Sequence, residues 1–177
     1  TTVANGLIGN YEIYVFPGTY TPTSSITPTN SQSFNFQNNV YINDSSLGLP
    51  TSTPLFDIGI GTCSMTGPDR LVQTDNWNTS SNTSPGVLIK CIDNRVVFNV
   101  DTNQIAANET SLSLRNITII GNGADSNDRN PIEIQDDVSI YLDNCDVVNV
   151  NTTMASTCIQ NKAQLTGRLA RVIANHC

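Results

Sequence analysis

Asp136 and Asp137 stand side by side in the stretch QDDVSI, and paired carboxylates are the material of acid–base hydrolysis. One carboxyl protonates a leaving oxygen while the other activates water, which requires the two to be separated on one face. In a strand-entry context such a pair is more simply a solvated turn. Arg115 offers a second chemistry, proton abstraction beside acidic groups that hold Ca²⁺. Its candidate neighbours are Asp93 and Asp143, which share with it the second position of a repeated seven-residue pattern. A stripe Asp93–Arg115–Asp143 would also form as an exposed ladder of opposite charges, because cross-strand pairing favours it. Trp77 is the only Trp and lies in the polar stretch QTDNWNTSSNTSPG, where it could stack on a sugar ring or fold back onto a wall. His176 and Cys177 are adjacent, without further ligands nearby in sequence, and two neighbours alone do not make a metal site.

The pattern that aligns the charges is carried by an amide. FQNNVYI (36–42), IDNRVVF (92–98), LRNITII (114–120) and LDNCDVV (142–148) each open on a large apolar residue, place Asn third and close on an apolar pair. The third-position residues are Asn38, Asn94, Asn116 and Asn144. The pieces are short, rich in Val, Ile, Tyr and Phe, and bounded by Asn, Asp and Gly, which marks strands and not helix segments. Asn94 to Asn116 is 22 residues, Asn116 to Asn144 is 28, and Asn38 to Asn94 is 56, room for two turns. A return of this length signals a repeat array. With strands and turns in every repeat, the expected architecture is a parallel β-helix in which each coil lies on the last. Stacked strands sit about 4.7–4.9 Å apart, close enough for one carboxamide to donate to the next in a ladder. These four Asn could instead bind a ligand, but an amide fixed by stacking is the simpler reading. Asn116 also begins a glycosylation sequon, which burial in the ladder would leave unused.

Composition excludes several classes. The 177 residues are long enough for one sizeable core. Charged residues make up 13%, against a usual share of about 25%. Asn, Thr and Ser take their place, while plentiful Val and Ile argue against disorder. The net charge is −7 and the eight Lys and Arg are scattered, so no basic stripe exists to bind nucleic acid. No apolar run of about 18 residues predicts membrane insertion. The five Cys (63, 91, 145, 158 and 177) include no CxxC pair, and Cys145 reads as a small buried hydrophobe. Sequons such as those at Asn43, Asn78, Asn108 and Asn151 matter only if the chain is secreted.

YEIYVFPGTYTPTSSI (11–26) resembles the opening coil of the pectin-lyase-like right-handed β-helix superfamily, on Ile13, Val15, Pro17, Gly18, Thr19 and Tyr20. The Asn-bearing coils extend the likeness loosely over most of the chain. The resemblance implies an all-β, right-handed, single-stranded parallel β-helix with an Asn ladder. It does not imply one activity, since the superfamily includes polysaccharide lyases, hydrolases, esterases, phage tailspikes, viral spikes and adhesins. Polygalacturonase-like hydrolases carry Asn-Thr-Asp, Asp-Asp, Gly-His-Gly and Arg-Ile-Lys. Here only the Asp136-Asp137 pair is present, and the single His176 lies forty residues on. A pectate-lyase-like reading would use Arg115 between Asp93 and Asp143, with Ca²⁺. None of the three esterase motifs occurs.

The expectation is therefore one β-helix domain over 1–177, of about five to seven coils, with a loop-rich excursion at 43–86. Strands are expected near 11–16, 34–42, 55–60, 87–100, 111–120, 138–150 and 164–174, with Ile119, Ile140, Leu142, Val147 and Val172 in the core. The start at Thr1, the lack of a capping helix and the end at Cys177 read as an excerpt of a longer or processed chain. The expected role is a non-catalytic structural or surface-recognition module of a virion, spike or adhesin. It would be extracellular or on a cell or virion surface, in contact with sister copies, capsid or surface proteins, or glycans. No cofactor is expected, and no nucleic-acid or membrane partner. A lyase or hydrolase acting on acidic glycans is the alternative, with Ca²⁺ only in the lyase case.

Overall fold

The computed structural model describes residues 10–28, 31–48, 52–59, 61–69, 86–101, 110–122, 130–135, 138–150, 157–162 and 170–177. Among them are fifteen strands and no helix. The first pass of the chain gives β1 (Glu12–Val15) and β2 (Gly18–Tyr20). The second gives β3 (Gln32–Phe36), β4 (Val40–Asn43) and β5 (Phe56–Ile58). The third gives β6 (Gly61–Thr66), β7 (Val87–Lys90) and β8 (Phe98–Val100). The fourth gives β9 (Thr110–Arg115), β10 (Ile117–Gly121) and β11 (Ile132–Ile134). The fifth gives β12 (Val138–Asp143), β13 (Asp146–Asn149) and β14 (Ile159–Asn161), and β15 (Arg171–Asn175) begins a sixth.

Passes two to five each contribute one strand to each of three walls, the first pass supplies walls A and B, and the sixth wall A. Wall A runs β1-β3-β6-β9-β12-β15, wall B runs β2-β4-β7-β10-β13, and wall C runs β5-β8-β11-β14. Every pairing is parallel. Parallel neighbours need a crossover between them. Here the rest of the coil is that crossover, and the arrangement is consistent with a β-solenoid.

Side-chain alternation assigns the faces. In wall A the inward column Ile13–Phe34–Met65–Leu114–Leu142–Ala174 runs through all six strands in register. Wall B supplies Tyr20–Ile42–Ile89–Ile119–Val147. Wall C supplies Ile26–Phe56–Phe98–Ile132–Ile159. The Phe56 and Phe98 rings stack there, with centroids 4.8 Å apart and planes 17° apart. Stacking like on like keeps β-branched and aromatic side chains in contact with neighbours of the same shape, which suits a pleated wall.

The structure differs from the sequence reading in strand length. The stretches expected as single strands at 34–42, 87–100, 111–120 and 138–150 are each two strands meeting at a corner, because one to several residues between them turn the chain from one wall to the next. β6 was not expected as a strand, since Gly-Thr-Cys-Ser-Met-Thr has little β-branched apolar content. Within the span 43–86, β5 falls on the strand expected near 55–60, and β6 adds a second wall strand. Of the five expected core residues, Ile119, Ile140 and Leu142 are buried. Val147 is half-buried, and Val172 is exposed although it continues the Ile140 column, because it sits on the outermost strand of wall A.

Candidate functional site

The corner between walls A and B carries the amides. Following wall B's register one residue back, its positions from the second coil on are Asn39, Gly86, Asn116 and Asn144, and wall A's register extends the column to His176. All five have positive φ, 61°, 117°, 57°, 52° and 53° in that order. Asn tolerates this left-handed conformation better than most L-residues because its short side chain bonds locally. The corner therefore favours residues that tolerate this conformation, Asn and Gly and at its last position His, and Asn adds the ladder. Asn144 Nδ2 donates to Asn116 Oδ1 at 2.8 Å, and Asn116 Nδ2 donates to the Gly67 carbonyl at 3.3 Å. Backbone bonds run alongside, from Gly67 N to Arg115 O, Asn116 N to Asp143 O and Asn144 N to Asn175 O.

Two of the four expected ladder residues thus meet. Asn38 lies one residue before the corner residue, Asn39, and is exposed. Asn94 belongs to another corner, between β7 on wall B and β8 on wall C, although its heptad reads like the others. The physical reason is that every corner of a three-walled coil needs a polar bend between apolar strands, so the pattern recurs at more than one of them. In the third coil the A–B corner is opened by insertion. The chain leaves wall A at Gly67 and rejoins wall B at Gly86, where Asn116 in the next coil turns in a single residue. Gly67 is required by close approach: a Cβ there would lie 2.4 Å from the Asn116 carbonyl oxygen.

The charged residues flank this corner on its outer side. Arg115 and Asp143 are register partners, with Nε 3.3 Å from Oδ2, both largely exposed. His176 Nδ1 stands 3.9 Å from Asp143 Oδ1. Asp93 does not join them. It lies on the B–C corner, where its backbone N–H donates to Asp44 Oδ2 at 3.3 Å, and Arg115's neighbour in the third coil is Thr66. The expected Asp93–Arg115–Asp143 stripe is therefore a pair, Arg115 with Asp143. Asp136, Asp137 and Trp77 lie outside the described residues. Among the described residues no three His, Cys, Asp or Glu side chains group as metal ligands.

The outer face of wall A forms a broad hydroxyl and amide surface. Its columns in register are Glu12–Ser33–Ser64–Ser113–Tyr141–Ile173, Tyr14–Asn35–Thr66–Arg115–Asp143–Asn175 and Thr62–Ser111–Ser139–Arg171. Ser64 Oγ donates to Ser33 Oγ at 2.8 Å and Asn35 Nδ2 to Glu12 Oε1 at 2.6 Å. Tyr14 and Tyr141 are 59% and 40% exposed, on the first and fifth of its six strands. The Glu12 carboxylate, by hydrogen bond and charge, raises the Tyr14 hydroxyl above its usual value.

Sequence reasoning missed a buried ion pair at the B–C corner. Asp44 and Arg95 are both 0% exposed, with Arg95 Nε 3.2 Å from Asp44 Oδ2. Asp44 Oδ1 accepts from Ile92 N at 2.7 Å, while Arg95 donates to the carbonyls of Gly48 at 2.6 Å and of Thr53. A buried charge needs this saturation, since an unpaired one is costly. The signal was an Arg directly before the apolar Val96-Val97-Phe98, a position where a solvated cation is out of place. Two thiols, Cys63 and Cys91, are buried in the core. Burial pushes Cys63 up to about 12, and burial first, with the Asp44 charge, holds Cys91 well above the usual thiol range.

Comparison of the chain with family models, with curated proteins and with solved structures finds no match.

Proposed function

We propose that this chain is a right-handed parallel β-helix of the pectin-lyase-like kind, acting as a non-catalytic structural or surface-recognition module of a virus particle, spike or cell-surface adhesin. The observation that carries the reading is the outer face of wall A. Six parallel strands present Ser, Thr and Asn side chains in register, with exposed Tyr14 and Tyr141 on the first and fifth strands. Such a face offers many weak donors and acceptors and two aromatic platforms, as contact with glycans or sister copies requires. Its charges balance, Glu12 and Asp143 against Arg115 and Arg171, so long-range attraction to a strongly charged partner is small. The module works outside the cell, where an extended rigid wall is useful and no cofactor is needed.

The second reading, a lyase or hydrolase on acidic glycans, is favoured by Arg115 lying against Asp143. One experiment separates the two. The protein is incubated with polygalacturonate, alginate and host-cell glycans, with and without Ca²⁺, and both retention and chain cleavage are measured. Retention without cleavage, lost in a Ser64→Lys/Tyr141→Ala variant, supports recognition by wall A. Cleavage abolished by Asp137→Asn or Arg115→Ala overturns it in favour of the enzyme.

A further inference from the structure

The outer side of wall B holds two buried polar side chains, Asn43 and Lys90. Asn43 ends β4 and Lys90 ends β7, and their Cα atoms are register partners across the parallel ladder between coils two and three. The inward positions beside them are Ile42 and Ile89, yet Asn43 and Lys90 are buried too. Adjacent strands are about 4.8 Å apart, a gap that the four-carbon stem of a lysine readily spans. Asn43 Oδ1 accepts a hydrogen bond from the Ser45 backbone N–H at 3.0 Å. The Tyr41 hydroxyl, on the same face, engages the same carboxamide. Asp44, fully buried, puts its carboxylate charge close to the Lys90 amine.

We propose that Lys90 and Asn43 join in an intramolecular isopeptide bond that staples coil two to coil three. The neutral amine of Lys90 attacks Cγ of Asn43. The developing charge on Oδ1 is held by the Ser45 N–H, a donor already aimed at that oxygen. The Nζ–Cγ bond forms and the Cγ–Nδ2 bond breaks. The proton that Nζ gives up passes to Nδ2, with the Tyr41 hydroxyl placed beside it as a relay, and Nδ2 leaves as ammonia. Nothing is oxidised or reduced, and no co-reactant is needed. Burial favours the reaction, because it draws the Lys90 amine below its ordinary value, against the opposing pull of Asp44. The bond would lie beside the Asp44–Arg95 pair, so that the second and third coils are held covalently as well as by charge.

The intact mass of the whole protein, measured unfolded and reduced, is the test. A mass short by one ammonia, with a branched peptide in the digest that carries positions 43 and 90, is the expected result. The full mass should return in Lys90→Arg and in Asn43→Ala, and Tyr41→Phe should slow the loss. A cyclic imide at Asn43 also releases ammonia, but it would persist in Lys90→Arg and would give no branched peptide. That outcome overturns the proposal. So does a full sequence mass after prolonged incubation, with residue 90 recovered from the digest as ordinary lysine.

Discussion

At the scale of single residues, one amide performs two separable tasks at the A–B corner. Asn116 adopts φ 57°, and its carboxamide bridges Gly67 O and Asn144 Nδ2. Asn116→Gly keeps the backbone conformation and removes the bridge, whereas Asn116→Ala removes both. The alanine variant should lose about 1–3 kcal/mol in denaturant unfolding, since Asn144 is left without this acceptor, and the glycine variant should lose less. Equal losses would mean the bridge alone matters. Because both ends of the Asn116 carboxamide are engaged and the residue is buried, its sequon should stay unglycosylated when the protein is expressed through a secretory pathway. A glycopeptide at position 116 would contradict the ladder. The Asp44–Arg95 pair makes a sharper case. Arg95→Met or Asp44→Ala alone should cost about 3–5 kcal/mol, because each leaves a buried charge uncompensated. The double variant should recover much of that loss, and a loss equal to the sum of the two singles would show that the partners act independently.

At the scale of strands and corners, the wall geometry decides what tolerates change. The Asn116 carbonyl occupies the space a Gly67 side chain would need, and this is where the third coil departs from wall A. Gly67→Ala must displace backbone and not merely a flexible side chain, so about 1–3 kcal/mol should be lost. Hydrogen exchange should rise first at the amides of Gly67 and Asn116, which bond across the corner to the next coil. Unchanged exchange there would sink the argument. The same corners explain what could be read beforehand. Alternation and β-branching made the strands of coils four and five legible, and Asn116 and Asn144 marked their own bend. Asn94 misled because a B–C corner asks for the same polar interruption as an A–B corner, and a heptad does not say which wall follows. Arg115 and Asp143 were legible as neighbours because their coils turn without insertion. Asp44 and Arg95 were not, because their meeting depends on the fold of the segment after β4, which carries no periodicity to anchor it.

At the scale of the whole molecule, stability is a sum over coil-on-coil contacts, since each coil touches chiefly the one before and the one after. Two buried thiols make the contribution of the third coil to this sum dependent on pH. Cys63 and Cys91 both belong to the third coil and are buried. Burial raises Cys63 from an ordinary 9.0 to about 12, and Cys91 shifts in the same direction. A raised folded-state value means that the fold keeps the neutral thiol. The stability this contributes is complete below the unfolded value of 9.0 and is lost as pH climbs through the folded value near 12. Tyr41, on the neighbouring coil, is raised by burial and by Asp44 and adds to the same trend. Thermal unfolding followed by circular dichroism should therefore show a melting temperature that is flat at neutral pH and falls between about 9 and 12. Cys63→Ala should melt lower at pH 7, from the lost packing, yet decline less steeply over the alkaline window, because one of the groups that must ionise has been removed. If the alkaline slope of Cys63→Ala matches that of the unsubstituted protein, the Cys63 thiol does not contribute to the alkaline loss.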